Sequence, residues 1–377
     1  MKKVSVLGAG MVGSAIARDL SKKFNVTVYD NNNQNLEKLA IFGIATVQTD
    51  LSSAKSIKES IKDTDFVVNA MPGFLGFNTL KNIIENKKNV VDIAFFPEDA
   101  LELDKLAKKN NVTAIVDIGV APGISNFVLG YHYNKGEKIN SFKCYVGGLP
   151  VVREEPFQYK APFSPIDVIE EYTREARFKE NGNLITKSAM TDIEHLFFED
   201  IGTLQAFNSD GLRSLLKTIN IPNMVEKTLR YPGHIEKIVL LRDMGFLSNQ
   251  NIKINDKEIN ILDFTSKILI DKWKLLPTEK EFTIMKIIIE VIKSDKKLEY
   301  IYDLIDYTDT VNGISSMART TGYTATAALN ILSEGLFDEK GVIPPEKLAI
   351  NDIIYNYMFN YLSERNVNYK FTIVNNK

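Results

Sequence analysis

At 377 residues, with 44% hydrophobic and 25% charged residues, the chain has ordinary globular composition and enough length for two domains. A formal net charge of -2 supplies no basic field for nucleic acid, and one cysteine and three histidines argue against a disulfide framework or a resident metal centre. No apolar run approaches the ~20 residues of a membrane span and the N-terminus shows no cleavage signature, so a cytoplasmic protein with reduced thiols and no membrane partner is expected.

Residues 1–118 alternate short apolar runs with amphipathic stretches. KVSVLGA (3–9), VTVY (26–29), IATVQ (44–48), DFVVNA (65–70), NVVDIA (89–94) and VTAIVDI (112–118) read as buried strands. The stretches between them carry apolar residues at helical spacing, so the pattern predicts an α/β fold with a Rossmann-type, doubly wound parallel sheet. The pattern changes after VAPGIS (120–125). SFKCYVGGLP (141–150) reads as a strand ended by a Gly-Gly-Leu-Pro turn. SPIDVIEEYTREA (164–176) reads as a helix capped by Ser164, with Pro165 at its first position. EKTLRY (226–231), IKINDKEINIL (252–262), FTIMKIIIEVIK (282–293) and EYIYDLIDYT (299–308) read as strands without regular helical crossovers. They predict a second, mixed α/β domain with a largely antiparallel sheet. SSMARTTGYTATAALNILSEG (315–335) reads as one long helix stopped by Gly335, with a small-residue face suited to packing back on the first domain. The expected organisation is a dinucleotide-binding domain over 1–122 completed by 315–350, a substrate and dimerisation domain over 123–314, and a C-terminal segment over 351–377.

Gly8, Gly10 and Gly13 form G-x-G-x-x-G between the first strand and the first helix, with Met11 and Val12 opening that helix. Such a loop lets backbone approach a pyrophosphate at a helix N-terminus. Asp30 ends the next strand, where a carboxylate accepts from ribose hydroxyls and repels a 2′-phosphate. Asn31, Asn32 and Asn33 follow it, with no arginine, so NAD is expected over NADP. Asp50, beside Leu51, is suited to the adenine amino group or to a helix cap. Asn69, Ala70, Met71 and Pro72 end the fourth strand at the edge where such sheets meet the cofactor. Asp92, Asp117 and Gly119 end the next two strands at the same edge.

The chain then resembles a known family. VLGAGMVG, VVNAMPGFLGFNTL, VDIGVAPGISN, YVGGLP, PFQYKAPFSPIDVIEEYTREA, SDGLRSLL, TLRYPGHIEKI, SSMARTTGYTA and GVIPPE are similar, in this order, to motifs of the saccharopine dehydrogenase-like family. The likeness is strongest to its lysine 6-dehydrogenase branch, archaeal members above all. It implies a homodimer that uses NAD to oxidise the terminal amine of L-lysine, with the substrate between the two domains. Three departures bear on the substrate. Ala121 stands where the saccharopine branch carries Asp, Val146 where it carries Cys, and Ser209 where it carries Arg. Each removes a polar group that a larger, tri-acidic substrate would use.

Oxidising an amine requires an unprotonated nitrogen, so a base with a pKa near 7 is sought. Lys160 is one candidate, because a lysine desolvated beside a cationic nicotinamide loses proton affinity; an ordinary surface lysine is the plain alternative. His234 is the histidine within a family motif, and a structural histidine bonded to a carbonyl is its alternative. Asp92 is suited to receive the substrate amine near the nicotinamide, with a helix cap or a structural hydrogen bond as its alternative. The resemblance places Tyr159 and Phe163 in the substrate-lining loop. Arg213 and Arg230 are the guanidinium groups best placed for the substrate carboxylate, against the default of a solvated salt bridge. Gly148 would allow close backbone approach to the substrate, or merely end a strand. The expected reaction is NAD-dependent oxidative deamination of lysine, without a metal. The alternatives are saccharopine-type chemistry on a secondary amine and a non-catalytic NAD-binding protein.

Overall fold

The computed structural model describes residues 1–162, 165–276, 278–294 and 296–376. Ser164 and Phe163, expected as helix cap and pocket residue, lie outside the described residues.

The first 118 residues fold as their alternation predicts. Strands β1 (Lys3–Leu7), β2 (Asn25–Asp30), β3 (Ala45–Gln48), β4 (Phe66–Asn69), β5 (Asn89–Asp92) and β6 (Thr113–Ile115) are all parallel. Helices α1 (Met11–Leu20), α2 (Asn33–Ala40), α3 (Ala54–Ile61), α4 (Gly73–Glu85) and α5 (Asp104–Lys109) connect them. The spatial order β3-β2-β1-β4-β5-β6 is the doubly wound dinucleotide-binding order. Asn32 and Ser53 cap α2 and α3 by accepting backbone N–H bonds, which is why those helices start where they do.

Helix α6 (Ile124–Asn134) leads into β7 (Lys138–Pro150) of a second sheet. Then follow α7 (Pro165–Thr173), β8 (Ala176–Glu180), β9 (Asn183–Lys187), β10 (Glu194–Phe198), β11 (Gly202–Asn208), α8 (Leu215–Thr218), β12 (Asn223–Arg230) and α9 (His234–Asp243). After a separate hairpin of β13 (Asn251–Ile254) and β14 (Lys257–Asn260) come α10 (Ile261–Trp273), β15 (Glu281–Lys293) and β16 (Lys296–Tyr307). The chain ends with α11 (Ser316–Ser333), β17 (Gly341–Ile343), α12 (Pro345–Leu348), α13 (Asp352–Ser363) and β18 (Lys370–Asn376). The second sheet runs β10-β11-β12-β7-β15-β16-β18, with β8 bridging to β12 and β9 paired to β8. It is mixed: β12 and β7 are parallel and the other pairs antiparallel.

Two expected elements differ. The strand β7 does not end in a Gly-Gly turn but runs through Pro150, with Gly147 and Gly148 opposite Ile284 and Thr283. A Cβ on Gly147 would lie 2.7 Å from the Leu229 carbonyl, and one on Gly148 would lie 2.5 Å from Pro162 and 2.7 Å from Met317. The two glycines are there because neighbouring chain packs where side chains would be. Residues 252–262 are a hairpin and a helix start, not one strand: Asn255 and Asp256 turn with φ +47° and +62°, and Asn260 caps α10.

The long helix α11 lies against α1, where Thr326 donates to the Asp19 carboxylate at 2.8 Å. Tyr361 and Arg365, at and beyond the end of α13, bond the same carboxylate at 2.8 Å. These partners outweigh burial and hold the Asp19 carboxyl below its usual range. Strand β17 joins the first sheet beside β6, and β18 joins the second beside β16. No helix among the described residues is long and apolar enough to cross a membrane.

Candidate functional site

The turn from β1 into α1 is held tightly. Gly8 has φ +105° and donates to the Tyr29 carbonyl at 2.8 Å. A Cβ there would strike the Ala70 carbonyl, and one on Gly13 would strike the Gly8 carbonyl. Gly10 differs: nothing lies within 4 Å of a Cβ added to it. Met11, exposed, and Val12 open α1 at that free side, where first-turn N–H groups have no intrahelical acceptors. The Asp30 carboxylate is pinned beside the loop by the Ala9 N–H at 2.6 Å and the Asn32 N–H at 2.7 Å. The Asn31 carbonyl accepts from Gln48. Asp50 is exposed, and its oxygens accept from the Ser52 N–H and hydroxyl at 2.9 Å, which lowers its pKa; Leu51 beneath it is buried. Asp50 does not cap α3, a role taken by Ser53.

The end of β4 turns inward rather than toward a ligand. Asn69 is fully buried and donates to the Gly76 carbonyl and, at 2.5 Å, to Asp92. Ala70 backs the Gly8 turn, while Met71 and Pro72 lead into α4. Asp92 is also fully buried, accepts from the Ala94 N–H at 2.8 Å, and is pushed well up in pKa by burial. These bonds and this burial favour the structural alternative for Asp92 over a meeting with a substrate amine. Asp117, at φ +52°, pairs with Arg213 at 3.4 Å. A Cβ added to Gly119 would lie 3.1 Å from Thr321 of α11.

Most of the expected substrate-side residues are occupied with one another. Arg230 is 1% exposed; its Nε donates to the Tyr172 hydroxyl at 3.0 Å, its Nη2 to Glu171 at 2.9 Å, and its plane lies over Tyr159 at 4.4 Å. Tyr172 donates in turn to His234 Nε2 at 2.9 Å, and His234 Nδ1 donates to the Phe157 carbonyl at 2.9 Å. The imidazole is therefore neutral and saturated, and burial and the Arg230 charge hold its pKa down to about 3. It takes up no second proton near pH 7. Lys160 is paired with Glu279 at 3.1 Å and with Glu154 at 3.8 Å. Tyr159 is buried under Arg230, Arg213 lies over Phe95 and Phe96, and Gly148 faces Pro162 and Met317. Ion pairs and close packing within the protein engage each of these positions. His234→Gln is expected to destabilise the fold by about 1–3 kcal/mol. It should also make stability fall less steeply as pH drops below about 6.5, because only the unfolded wild-type histidine takes up a proton there. The pH–rate profile should keep its shape; loss of a near-neutral limb would restore His234 as a proton carrier.

The open space lies elsewhere. A small cleft of about 40 Å³ sits at the carboxyl edge of the parallel sheet, against α7 and against β7 and β12 of the second sheet. Phe95 and the Ala121–Pro122 turn line one side, and Glu170 and Glu171 of α7 and Arg174 just after it line another. Ala121, Val146 and Ser209, the three positions of departure, all line it. Its charged groups are mostly paired: Glu170 with Arg174, Glu171 with Arg230, and Asp210 with Arg177 through two bonds at 2.8 and 2.9 Å. Two groups retain unused capacity. The Nη1 of Arg174 is buried without a hydrogen-bond partner among the described residues. Glu226 of β12 lines the cleft with no side-chain hydrogen bond to a described residue, and a Cβ on Gly211 would strike its carboxylate. Burial, then Glu171 and Asp210, push Glu226 up to about 8. Sequence reasoning missed both; the signal available was the period of two that puts Glu226 and Thr228 on the face of Arg230. Among the described residues, no group of three or more His, Cys, Asp or Glu could hold a metal.

A family model described as the saccharopine dehydrogenase NADP binding domain matches residues 4–115, and one described as the saccharopine dehydrogenase C-terminal domain matches residues 119–367. The saccharopine dehydrogenase [NADP(+), L-glutamate-forming] of Saccharomyces cerevisiae is 26% identical over 273 residues, covering 68% of this chain and 61% of that protein. The mitochondrial alpha-aminoadipic semialdehyde synthase of Rattus norvegicus is 21% identical over 440 residues, covering 94% of this chain and 47% of that protein. The chain thus spans about half to three-fifths of the length of these relatives. The apo saccharopine dehydrogenase (L-Glu forming) structure from Saccharomyces cerevisiae shares the fold, with a TM-score of 0.81 at 22% identity over 99% of this chain and 100% of that one. The homospermidine synthase of Legionella pneumophila, solved with NAD, shares it at a TM-score of 0.67 and 12% identity over 100% of this chain and 91% of that one. Matched in order by both domain models, the chain belongs to the saccharopine dehydrogenase family.

Proposed function

We propose that the chain is a nicotinamide-dependent oxidoreductase acting at a C–N bond of an amino-acid-derived amine, with the secondary-amine chemistry named in its saccharopine relatives as the leading form. The observation that carries this reading is the cleft at the carboxyl edge of the parallel sheet, on the side where doubly wound folds place a nicotinamide. The dinucleotide site fits the group: Gly10 leaves open space before the N-terminus of α1, and the Asp30 carboxylate stands beside the loop. In this reading Gly8, Gly10, Met11, Val12 and Gly13 cradle the pyrophosphate and Asp30 holds the adenosine ribose. When bound, the nicotinamide accepts or donates a hydride at the carbon next to nitrogen. The chain's own part is to orient that carbon and manage the proton on nitrogen.

A second reading, oxidation of the primary terminal amine of L-lysine as in the lysine 6-dehydrogenase branch, is favoured by one observation. Ala121, Val146 and Ser209 line the cleft and bring no ionisable group to it. A panel assay separates the readings. Saccharopine-dependent reduction of the nucleotide supports the first, ammonia release from lysine alone supports the second, and nucleotide binding without turnover of any amine refutes both. Homodimerisation belongs to the same proposal.

Asp30, followed by three asparagines, favours NAD, while the matched family model is described as NADP-binding. Asp30→Ala is expected to weaken NAD about tenfold and to narrow any preference over NADP, measured by calorimetric titration of both. An unchanged NAD affinity would show that Asp30 does not touch the ribose.

A further inference from the structure

We propose that Glu226 is the group that takes the proton from the substrate's reacting nitrogen, and that the free Nη1 edge of Arg174 fixes the substrate's carboxylate across the same cleft. The proposal rests on the reading of the chain as an amine oxidoreductase and names the residues that would carry it out.

Both groups line the one cleft, and both have capacity that the fold leaves unused. The guanidinium of Arg174 gives Nη2 to Glu170 and lies 4.8 Å from the Phe95 ring, so its plane is set. Its Nη1 is buried without a partner among the described residues, and a buried N–H group left unbonded costs free energy that a bound carboxylate would return. Arg230 offers no such edge, being engaged by Glu171, Tyr172 and the Leu229 carbonyl, and Arg213, whose Nε is held by Asp117, is not among the residues that line the cleft. Every other carboxylate that lines the cleft already has an arginine, whereas Glu226 has none bonded to it. Gly211 leaves the room its carboxylate occupies.

The groups that face Glu226 set its titration. Glu171 of α7, Asp210 after β11 and Asp117 after β6 make its charge less favourable, Arg213 before α8 makes it more favourable, and the buried Cys144 thiol of β7 lies close by. With a pKa of about 8 the carboxyl is neutral when the cleft is empty at pH 7, and an arriving ammonium favours its ionised form. In the step itself the substrate N–H bond breaks, the Glu226 O–H bond forms, and the electron pair stays on nitrogen. That pair is what the neighbouring carbon needs in order to release hydride to an oxidised nicotinamide dinucleotide, the oxidant of the proposed reaction.

Calorimetric titration of the full chain, with and without NADH, tests this with two probes. 6-Aminohexanoate carries a terminal amine and a carboxylate; pentane-1,5-diamine carries the amine alone. In the wild type 6-aminohexanoate should bind at least about tenfold tighter, and Arg174→Gln should abolish that difference while Arg174→Lys keeps part of it. The affinity for both probes should rise as pH passes through about 8, and Glu226→Gln should remove that rise while Glu226→Asp retains it. Circular dichroism and urea midpoints establish that each variant is folded. Equal affinity of the two probes, an unchanged ratio in folded Arg174→Gln, or an unchanged pH dependence in folded Glu226→Gln overturns the proposal. So does failure of both probes to bind the wild type. If the probes bind as expected but no amine in the panel is turned over, the cleft assignment stands and the oxidoreductase reading falls.

Discussion

Arg230→Leu is expected to lower folding stability by about 3 kcal/mol or more, measured as a shift in the urea midpoint at pH 7. The side chain is 1% exposed and sits at the centre of a closed relay. It donates to Tyr172, to the Leu229 carbonyl and to Glu171; Tyr172 donates to His234, which donates to the Phe157 carbonyl. Leucine cannot replace any of those bonds. The larger loss is electrostatic, because Glu171, whose carboxyl burial already pushes up in pKa, loses the cation that compensates it. The deficit should therefore shrink as pH falls. A carboxyl with a raised folded-state pKa is stabilising below its unfolded value and loses that contribution as pH rises through the folded one. A midpoint shift worth less than about 1 kcal/mol, or a deficit independent of pH, would show that Arg230 is not what holds this region together.

Gly10→Val is expected to weaken dinucleotide binding by at least about a hundredfold while leaving the fold intact. The contrast with its neighbours makes the variant diagnostic. A side chain at Gly8 or Gly13 collides with backbone of the protein itself, so loss of binding there would be confounded with damage to the turn. Gly10 has φ −65° and ψ −174°, which any residue adopts, and nothing within 4 Å of an added Cβ. The methyl groups of valine would thus occupy space that only a ligand contests, at a stability cost of about 1 kcal/mol for an apolar residue at this helix-cap position. Unchanged NAD and NADP affinity in Gly10→Val would place the pyrophosphate somewhere other than this loop.

The parallel sheet, the glycine turn and Asp30 were readable in the chain because each depends on residues close in sequence. Strands buried on both faces appear as continuous apolar runs, and the phosphate turn needs its glycines within six positions of one another. The four strands between Ala176 and Asn208 escaped that reading because β9 and β10 are largely exposed and β8 offers only Ala176 and Phe178 as a buried face. Gly147 and Gly148 read as a turn because a glycine pair ordinarily punctuates a strand. What keeps them in β7 is the approach of Leu229, Pro162 and Met317, distant in the chain.

The candidate site divides the same way. Lys160, His234, Arg213, Arg230 and Asp92 are residue types suited to amine chemistry, and residue type is all that a sequence displays. Whether such a group faces a substrate depends on which partners reach it first, and here Glu279, Tyr172, Asp117, Glu171 and Asn69 do. Glu226 shows the converse. On an amphipathic strand a lone glutamate looks like part of a solvated face, yet packing buries it to 5% exposure beside a cleft assembled from segments as far apart as Phe95 and Thr228. The sequence by itself determined the family, the sheet and the dinucleotide loop, because local patterning suffices for those. Which carboxyl is left unpaired, and which guanidinium keeps a free edge, only the tertiary structure decided, because both follow from long-range competition for hydrogen bonds and burial.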